Sequence, residues 1–227
     1  MTRTSRVYDI KARDMISSII YFTLRFLLRL LLPFVCRCTV EGREQVPASG
    51  PLLIVSNHLS WFDPLLLGIM LPRRAWFFAK KEILHWLVVG WLLRLTGQIA
   101  VRRGESDRAA LEQALAYLKV GRALVVFPEG TVERQEQMLA GRTGAAMLAL
   151  RSGATVLPIA HNGTRRVLRP GGGLHPYVHI AIGKPYIPTV PPNLSRKESL
   201  QLITTEMMQR IADLLPAQQR GAYGTSS

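Results

Sequence analysis

The chain is poor in cysteine, in acidic residues and in aromatic residues. It has two cysteines, Cys36 and Cys38, which are too few for a disulfide scaffold and too close in sequence to bridge readily. We therefore expect a reducing, cytoplasmic setting. Aromatic residues make up only 7% of the chain, and the tryptophans lie mostly in apolar runs. Nucleic-acid binding, in which aromatic side chains alternate with basic ones, is accordingly disfavoured.

The shortage of acidic residues leaves the protein strongly basic. With 15 Asp and Glu against 29 Lys and Arg, the formal net charge of the 227 residues is +14. Hydrophobic residues nevertheless make up 48% of the chain, which excludes a disordered polyelectrolyte and provides enough apolar side chains for a core. A protein that is both basic and hydrophobic fits an anionic membrane surface.

Residues 1–35 are predicted to form a membrane-anchoring segment. The stretch 15–35 consists mostly of Ile, Leu and Phe, and as a helix rising about 1.5 Å per residue it would be roughly 31 Å long, enough to cross a bilayer core. Two arginines argue against a full crossing, since Arg25 and Arg29 would each cost about 2.5 to 3.5 kcal/mol at the centre of a spanning helix.

The polar residues of this segment fall on one narrow stripe of a helical projection. They are Lys11, Asp14, Ser18, Arg25 and Arg29. We therefore expect an interfacial, monotopic helix that ends at Pro33, with Arg25 and Arg29 reaching lipid phosphates. A tilted span is the alternative, and a cleaved signal peptide is disfavoured because no small-residue cleavage site follows the apolar run.

After residue 51, short apolar runs alternate with helical patterns, which is typical of an α/β fold. We expect a single layered domain over 36–216, with a central mixed sheet flanked by helices, followed by a disordered tail at 217–227. Caps are predicted at Ser106 or Asp107 for one helix, and a capping box of Ser195 and Glu198 for the last helix. The predicted strands are 52–56, 75–79, 98–102, 123–127, 155–160 and 177–182.

The run 83–95 is apolar nearly all the way round and contains Trp86 and Trp91. A buried core helix would explain this pattern. A second surface facing a membrane or an acyl chain would explain it equally well, because tryptophan favours the membrane interface. Both interpretations stay open at this point.

A histidine and a carboxylate follow directly on the first predicted strand, in the block Asn57-His58-Leu59-Ser60-Trp61-Phe62-Asp63. In α/β proteins this strand-end position often carries reactive groups. Residues five apart on a helix are separated by about 140° of rotation, so His58 and Asp63 can meet only if His58 precedes the helix. Pro64, which is tolerated in a first turn, supports a helix that begins near Asp63. The pair suggests a general base and its orienter.

A second motif suited to anions is the turn Phe127-Pro128-Glu129-Gly130-Thr131, which also ends a predicted strand. It supplies a flexible glycine, backbone donors and a hydroxyl, and such a turn can hold a phosphate. Between the two motifs, the strand 98–102 delivers Arg102 and Arg103 at its end, where guanidinium groups suit bidentate phosphate binding. Further arginines follow at Arg134, Arg142, Arg165 and Arg166.

These residues resemble the glycerolipid acyltransferase family, typified by 1-acylglycerol-3-phosphate O-acyltransferases. Four blocks match in order: N-H-x-S-x-x-D at 57–63, a glycine-to-arginine block at 97–103, F-P-E-G-T at 127–131 and a proline-containing strand at 156–159. Family members commonly continue F-P-E-G-T with R-S-R, whereas this chain has Val132, Glu133 and Arg134. The segment Gly141-Arg142-Thr143-Gly144 is similar to the basic residue and glycine that usually follow. The resemblance therefore implies a head-group site that is present but altered.

The resemblance implies an enzyme of phospholipid biosynthesis that moves a fatty acyl group from acyl-CoA or acyl carrier protein to the hydroxyl of a lysophospholipid. The first candidate acceptor is 1-acyl-sn-glycerol-3-phosphate, which would give phosphatidic acid. Another lysophospholipid or a lyso-aminolipid is the alternative acceptor, and a non-catalytic protein that binds anionic membranes is the alternative class. The implied location is the cytoplasmic face of the cell membrane.

The roles implied by the resemblance are specific. His58 would be the general base and Asp63 would hold its imidazole, so that no protein nucleophile is needed. The acceptor's head group would be positioned by Arg103, Glu129, Gly130, Thr131, Arg134 and Arg142.

We expect no metal ion and no other cofactor. His175 and His179 have a spacing that suits a metal only on a helix, whereas the residues around Pro176 predict a loop and a strand. A serine hydrolase is disfavoured because the chain has no G-x-S-x-G motif. His85 and His161 have no evident partner in the sequence and are assigned structural roles.

Overall fold

A seven-stranded sheet forms the centre of the protein in a computed structural model, which describes residues 3–101, 107–132, 137–167, 169 and 171–224. Side chains are described for all of these except 3–14, 84 and 88. The strands are β1 Arg37–Glu41, β2 Leu52–Ser56, β3 Ala75–Lys80, β4 Ile99–Val101, β5 Ala123–Val126, β6 Thr155–Asn162 and β7 Tyr177–Ile182.

The sheet is mixed, as predicted, and its strand order is β1-β7-β6-β2-β5-β3-β4. Strand β7 runs antiparallel to β6, and the other pairings between these strands are parallel. All six predicted strands are confirmed to within two residues at their ends. Strand β1 was not predicted, because its alternation of exposed and half-buried residues gives a weak apolar signal at the edge of the sheet.

Helices cover both faces of this sheet. They are α1 Arg3–Val35, α2 Asp63–Met70, α3 Leu87–Leu95, α4 Arg108–Lys119, α5 Gly144–Ser152 and α6 Arg196–Ala212. Asp107 caps α4 by accepting a hydrogen bond from the Ala110 amide, and the predicted capping box of Ser195 and Glu198 opens α6.

Strand β2 is buried along its whole length and divides the core in two. Leu53 and Val55 point into one cluster with α4, α5 and α6, whereas Leu52 and Ile54 point into another with α2 and the end of α1. A strand buried on both faces is typical of a parallel sheet between helical layers. This position fixes the end of β2, and the loop that follows it, more firmly than an edge strand would.

The N-terminal helix turns Ser18 and Arg25 of its polar stripe toward the domain, whereas Arg29 of the stripe is exposed. The Arg25 guanidinium donates to the Ile69 carbonyl (3.2 Å), and the Tyr21 hydroxyl donates to the Gly68 carbonyl (2.9 Å). Buried Arg74 donates to the hydroxyls of Ser17 and Ser18, both at 2.6 Å. The expectation that Arg25 reaches lipid phosphates is therefore wrong, because its guanidinium satisfies a carbonyl at the end of α2.

The opposite side of α1 is exposed and apolar. We call this surface the α1 apolar face, and it consists of Met15, Ile16, Ile19, Phe22, Phe26, Leu27, Leu30, Leu31 and Phe34. Within the described part of the chain, 15–35 is the one helical stretch long and apolar enough to cross a membrane. The helix does not end at Pro33 but continues to Val35, since a proline removes one helical hydrogen bond and the Cys36 amide still donates to the Leu32 carbonyl (2.9 Å).

The apolar run 83–95 becomes a 3-10 turn, Lys81–His85, followed by α3. Trp86 and Trp91 are 61% and 55% exposed, and Leu87 is 90% exposed. A buried core helix is therefore ruled out for this side of the run. An apolar surface that faces outward is the interpretation that fits.

The C-terminal residues 217–224, expected to be disordered, instead form two 3-10 turns, Ala217–Gln219 and Gly221–Tyr223. The Met138 amide donates to the Gln219 carbonyl (3.0 Å), and the Gly141 amide donates to the Tyr223 hydroxyl (3.1 Å). The Tyr223 ring also packs against the core cluster of α4, α5 and α6. These contacts order the tail, and residues 225–227 lie outside the described part of the chain.

Candidate active site

Three neighbouring strands bring polar side chains to one edge of the sheet. Strand β2 pairs in parallel with β5 on one side and with β6 on the other. Their carboxyl ends therefore meet, as they do where α/β proteins bind ligands. His58 follows β2, Glu129 follows β5 and His161 lies near the end of β6.

His58 and Asp63 form a buried pair. The distance from His58 Nδ1 to Asp63 Oδ2 is 2.9 Å, and the two residues are 2% and 0% exposed. Helix α2 begins at Asp63, with Pro64 in its first turn, so His58 lies in the loop before the helix. The expectation that the pair can meet only with His58 ahead of the helix is confirmed, because the loop turns both side chains inward.

Asp63 also holds the loop itself. Its Oδ2 accepts hydrogen bonds from the backbone amides of Leu59 (2.7 Å) and Ser60 (2.8 Å) in addition to the imidazole. These are charge-assisted hydrogen bonds to amides of the loop that precedes the helix. One oxygen atom thus fixes both the backbone of the loop and the side chain of His58.

The surroundings of Asp63 keep its carboxyl ionised. Burial by itself raises the pKa of this carboxyl, but His161, His58 and Thr164 together lower the pKa more than burial raises it. The net pKa lies below the usual value for an aspartate. A carboxylate accepts but does not donate, so the proton of His58 is assigned to Nδ1 and Nε2 is left as the basic atom.

The imidazole of His58 is held on its flat side by Phe127. The two rings stack with centroids 4.1 Å apart and planes 16° apart. The stack and the bond to Asp63 fix the ring in two perpendicular directions. This restraint suits a base that must meet its proton donor in one geometry.

Glu129 ties the β5 turn to the β2 loop. Its Oε1 accepts from the His58 amide (3.0 Å) and its Oε2 from the Leu139 amide (3.1 Å), and the residue is 2% exposed. Through these two bonds Glu129 holds the backbone of His58 and of Leu139. A place for Glu129 in the head-group site stays a prediction.

Gly130 and Arg142 lie together, as predicted. The Arg142 amide donates to the Pro128 carbonyl (2.8 Å), and the Arg142 side chain crosses over Gly130, where an added Cβ would approach Arg142 Cδ to 3.0 Å. The φ of Gly130 is +72°, a conformation that favours glycine. Gly130, Thr131 and Arg142 are exposed and form an open turn beside the buried pair.

Two predicted head-group residues, Arg103 and Arg134, lie outside the described residues. Arg165 and Arg166 lie in the 3-10 turn that follows β6. Of the six predicted binding residues, the structure therefore places Glu129, Gly130, Thr131 and Arg142 around one turn.

A cavity of about 220 Å³ adjoins this turn. Phe127, whose ring stacks on the His58 imidazole, forms part of its wall. Asp107 and Arg142 supply charged groups, and most of the other lining is apolar. The apolar lining includes Val101, Leu111, Val126, Phe127, Met147 and Leu148.

The sequence analysis missed His161. It is 1% exposed, and its Nε2 lies 3.6 Å from Asp63 Oδ2. The signal available in the sequence was its position at the end of β6, which pairs with β2. A histidine directly after a predicted strand gives no sign of its partner until the strand order is known.

A family model described as Acyltransferase matches residues 37–162, which include both members of the buried pair. The chain belongs to the glycerolipid acyltransferase family. Its relatives include a lyso-ornithine lipid O-acyltransferase from Pseudomonas aeruginosa, which is 38% identical over 57% of this chain and 48% of its own length. A 1-acyl-sn-glycerol-3-phosphate acyltransferase from the same organism is 31% identical over 82% of this chain and 74% of its own length.

A solved structure of this acyltransferase family has the same fold. The crystal structure of the 1-acyl-sn-glycerophosphate acyltransferase PlsC from Thermotoga maritima matches with a TM-score of 0.67 and 26% sequence identity, covering 91% of this chain and 81% of that one. The present chain spans less than half the length of the curated relatives that match first, at 48% and 43%.

We expect Asp63→Asn to reduce the loss in free energy of unfolding that the wild type shows at acidic pH. Because the folded pKa of Asp63 lies below the ordinary value near 3.8, the carboxylate stabilises the fold above that pH, and this contribution is lost as the pH falls through the folded pKa. Urea unfolding in detergent between about pH 2 and pH 7 measures it. Asp63→Asn should cost about 1 to 3 kcal/mol at neutral pH and lose less on acidification than the wild type.

The matched control is Asp213→Asn at the exposed end of α6, which should keep the wild-type pH dependence. If the free energy of unfolding falls equally with acidification in Asp63→Asn and in the wild type, the buried carboxylate does not contribute to the pH dependence of stability.

Proposed function

We propose that this protein is an O-acyltransferase that moves a fatty acyl group from a thioester to the hydroxyl of a lysolipid. The observation that carries the proposal is the buried 2.9 Å pair of His58 and Asp63 at the end of β2, inside the matched family region. The donor is acyl-CoA or acyl carrier protein, and the reaction belongs to lipid biosynthesis.

The proposed reaction uses His58 twice. Nε2 takes the proton of the lysolipid hydroxyl as its oxygen bonds to the thioester carbonyl carbon. The carbon–sulfur bond then breaks, and the imidazolium returns the proton to the departing sulfur. The products are an ester and a free thiol, so no acyl-enzyme forms. Asp63 holds the Nδ1 proton and stabilises the imidazolium between the two steps.

The cavity beside Phe127 is the proposed site for an apolar part of a substrate. Its lining is mostly apolar and includes Phe127, whose ring stacks on His58. Burying an alkyl chain there would contribute about 0.8 kcal/mol per methylene and bring the reacting end of the chain close to His58.

The acceptor's anionic end is proposed to bind the exposed turn of Gly130, Thr131 and Arg142, together with Arg103 and Arg134. A guanidinium, a hydroxyl and backbone donors suit a phosphate. Relatives named for 1-acyl-sn-glycerol-3-phosphate support lysophosphatidic acid as the acceptor and phosphatidic acid as the product.

A lyso-ornithine lipid is the second candidate acceptor. Two relatives are named lyso-ornithine lipid O-acyltransferases, and one of them is 38% identical to this chain. The chain also has Val132 and Glu133 where family members commonly have Arg and Ser. An acid in place of a base fits an acceptor that carries an amine.

The proposed activity is tested by supplying the purified full-length protein with a long-chain acyl thioester and a panel of lysolipids. The panel includes lysophosphatidic acid, lyso-ornithine lipid and other lysophospholipids, and mass spectrometry identifies the products. We expect a new diacylated lipid from at least one acceptor. Failure with every acceptor, using both acyl-CoA and acyl carrier protein, would contradict the proposed function.

His58→Ala should lower turnover by about 10² to 10⁴ because it removes the general base. Binding to vesicles should be unchanged, which separates an enzyme from a protein that only binds membranes. The matched control is His179→Ala, a histidine that pairs with Glu41 on the neighbouring edge strand (3.3 Å). Full turnover in His58→Ala would remove the base from the mechanism.

The α1 apolar face and the exposed side of α3 are proposed to dock on an anionic membrane. The net charge of +14 favours such a surface, and tryptophans such as Trp86 and Trp91 favour the membrane interface. Docking would let a lysolipid pass from the bilayer to the site on the cytoplasmic face of the cell membrane.

Phe26→Glu and Leu30→Glu on the α1 apolar face should each weaken vesicle binding at least about tenfold, since burying such a side chain contributes about 1.5 to 3 kcal/mol. Co-sedimentation with vesicles of zwitterionic and anionic phospholipid measures it. Leu202→Glu is the control, because Leu202 is exposed on α6 at the other face of the sheet. Equal weakening by all three substitutions would contradict docking through α1.

A further inference from the structure

His161 is a buried histidine that the proposed reaction does not use. It lies near the end of β6 and is 1% exposed, so a substrate in the open turn does not touch it. Its Nε2 lies 3.6 Å from Asp63 Oδ2, the oxygen that also binds His58. Asp63 therefore faces two imidazoles from two different strands.

The position of His161 is fixed on the backbone side by Asn57. The Asn57 amide group donates to the His161 carbonyl (2.9 Å), and its oxygen accepts from the His161 amide (3.0 Å). Asn57 directly precedes His58, so this double hydrogen bond sets the distance between the β2 loop and the end of β6. A side chain that satisfies both backbone groups of one buried residue holds that residue firmly.

The ring of His161 is fixed at its other end by Thr164. The hydroxyl oxygen lies 3.5 Å from His161 Nδ1, in the 3-10 turn that follows β6. The same hydroxyl also hydrogen-bonds Asp63, so the tautomer of His161 is assigned from the carboxylate. A carboxylate only accepts hydrogen bonds, and the ring proton is therefore placed on Nε2, the atom that faces it. Burial lowers the pKa of His161, which keeps the ring neutral at neutral pH.

At 3.6 Å the contact between Nε2 and Oδ2 is longer than a direct hydrogen bond and acts as a charge–dipole attraction. Among the described residues His161 Nε2 has no hydrogen-bond partner of its own, so the dipole is not shared with another acceptor there. Because both side chains are buried, such an attraction is stronger than it would be in solvent.

We propose that His161 is a positioning residue that acts through Asp63, its neutral imidazole keeping the carboxylate ionised and directed at His58. The kinetic part of this inference rests on the proposed function. The structural part concerns only the three side chains and is tested without turnover.

Loss of His161 has a defined consequence for the pair. The groups that face Asp63 are His58 from the β2 loop, His161 from β6 and Thr164 after it, while Glu129 from the β5 turn faces the His58 backbone. Without the His161 dipole the Asp63 carboxyl takes up a proton at higher pH. His58 then loses the partner that fixes its Nδ1 proton, and the acid limb of the rate profile moves upward in pH.

The kinetic test compares wild type, His161→Leu and His161→Gln. We expect His161→Leu to lower kcat about 10-fold to 100-fold with little change in KM, and to move the acid limb of kcat/KM upward by half a pH unit or more. His161→Gln keeps an N–H that can face Asp63, so it should stay within about threefold of wild type. His179→Gln on β7 is the control histidine. Wild-type kcat and pH profile in a folded His161→Leu protein would overturn the inference.

The structural test uses side-chain NMR of the full-length protein, labelled with ¹⁵N in its five histidines. Wild-type His58 should show a proton on Nδ1, and His161 a proton on Nε2. In His161→Leu the His58 Nδ1 proton should broaden or exchange between the two nitrogens. An unchanged His58 signal would overturn the inference, even if no acyl transfer is found.

Thr164→Val keeps the ring of His161 and removes the hydroxyl next to its Nδ1. This variant takes the place of His161→Leu in the NMR test if His161→Leu does not fold. The His161 proton should then be shared between Nδ1 and Nε2, and the His58 signal should broaden. If both histidine signals in Thr164→Val match the wild type, the positioning role is rejected.

Discussion

One oxygen atom, Asp63 Oδ2, accepts hydrogen bonds from the imidazole of His58 and from two backbone amides of the same loop. It does so at the buried first residue of α2, where a charge is costly unless it is fully compensated. The compensation comes from donors that also define the loop geometry. The ionised carboxylate therefore determines both the path of the loop and the tautomer of His58.

Side chains that cross between neighbouring strand ends connect this loop to the rest of the sheet. Glu129 joins the β5 turn to the His58 amide, and Asn57 joins the β2 loop to His161 on β6. Glu129 also accepts from Leu139, whose segment is bound by the C-terminal turns through Met138. His58 is thus positioned by three strands and by the tail of the chain, whereas the proposed head-group turn is open.

The sequence predicted the elements whose signals are local. Buried strands such as β2 are apolar runs, and the His58 and Asp63 pair was found because the start of α2 could be placed from Pro64 and the loop before it. Contacts between distant segments were missed. The contact of His161 with Asp63 can be predicted only when the strand order is known. Residues 217–224 are ordered because Tyr223 packs on the core, and the sequence of 217–224 does not indicate this packing. The sequence indicated a polar stripe on α1, but it did not indicate that Arg25 of this stripe contacts the end of α2.

The central claim is that Asp63 acts on the reaction only through His58. A double-mutant cycle of His58→Ala and Asp63→Asn on kcat/KM tests it, with each variant first shown to be folded. If Asp63 serves His58, each single variant loses most of the activity and the double variant is no slower than His58→Ala alone. If the two losses multiply in the double variant, the side chains act independently and the account of a single carboxylate-held base is contradicted.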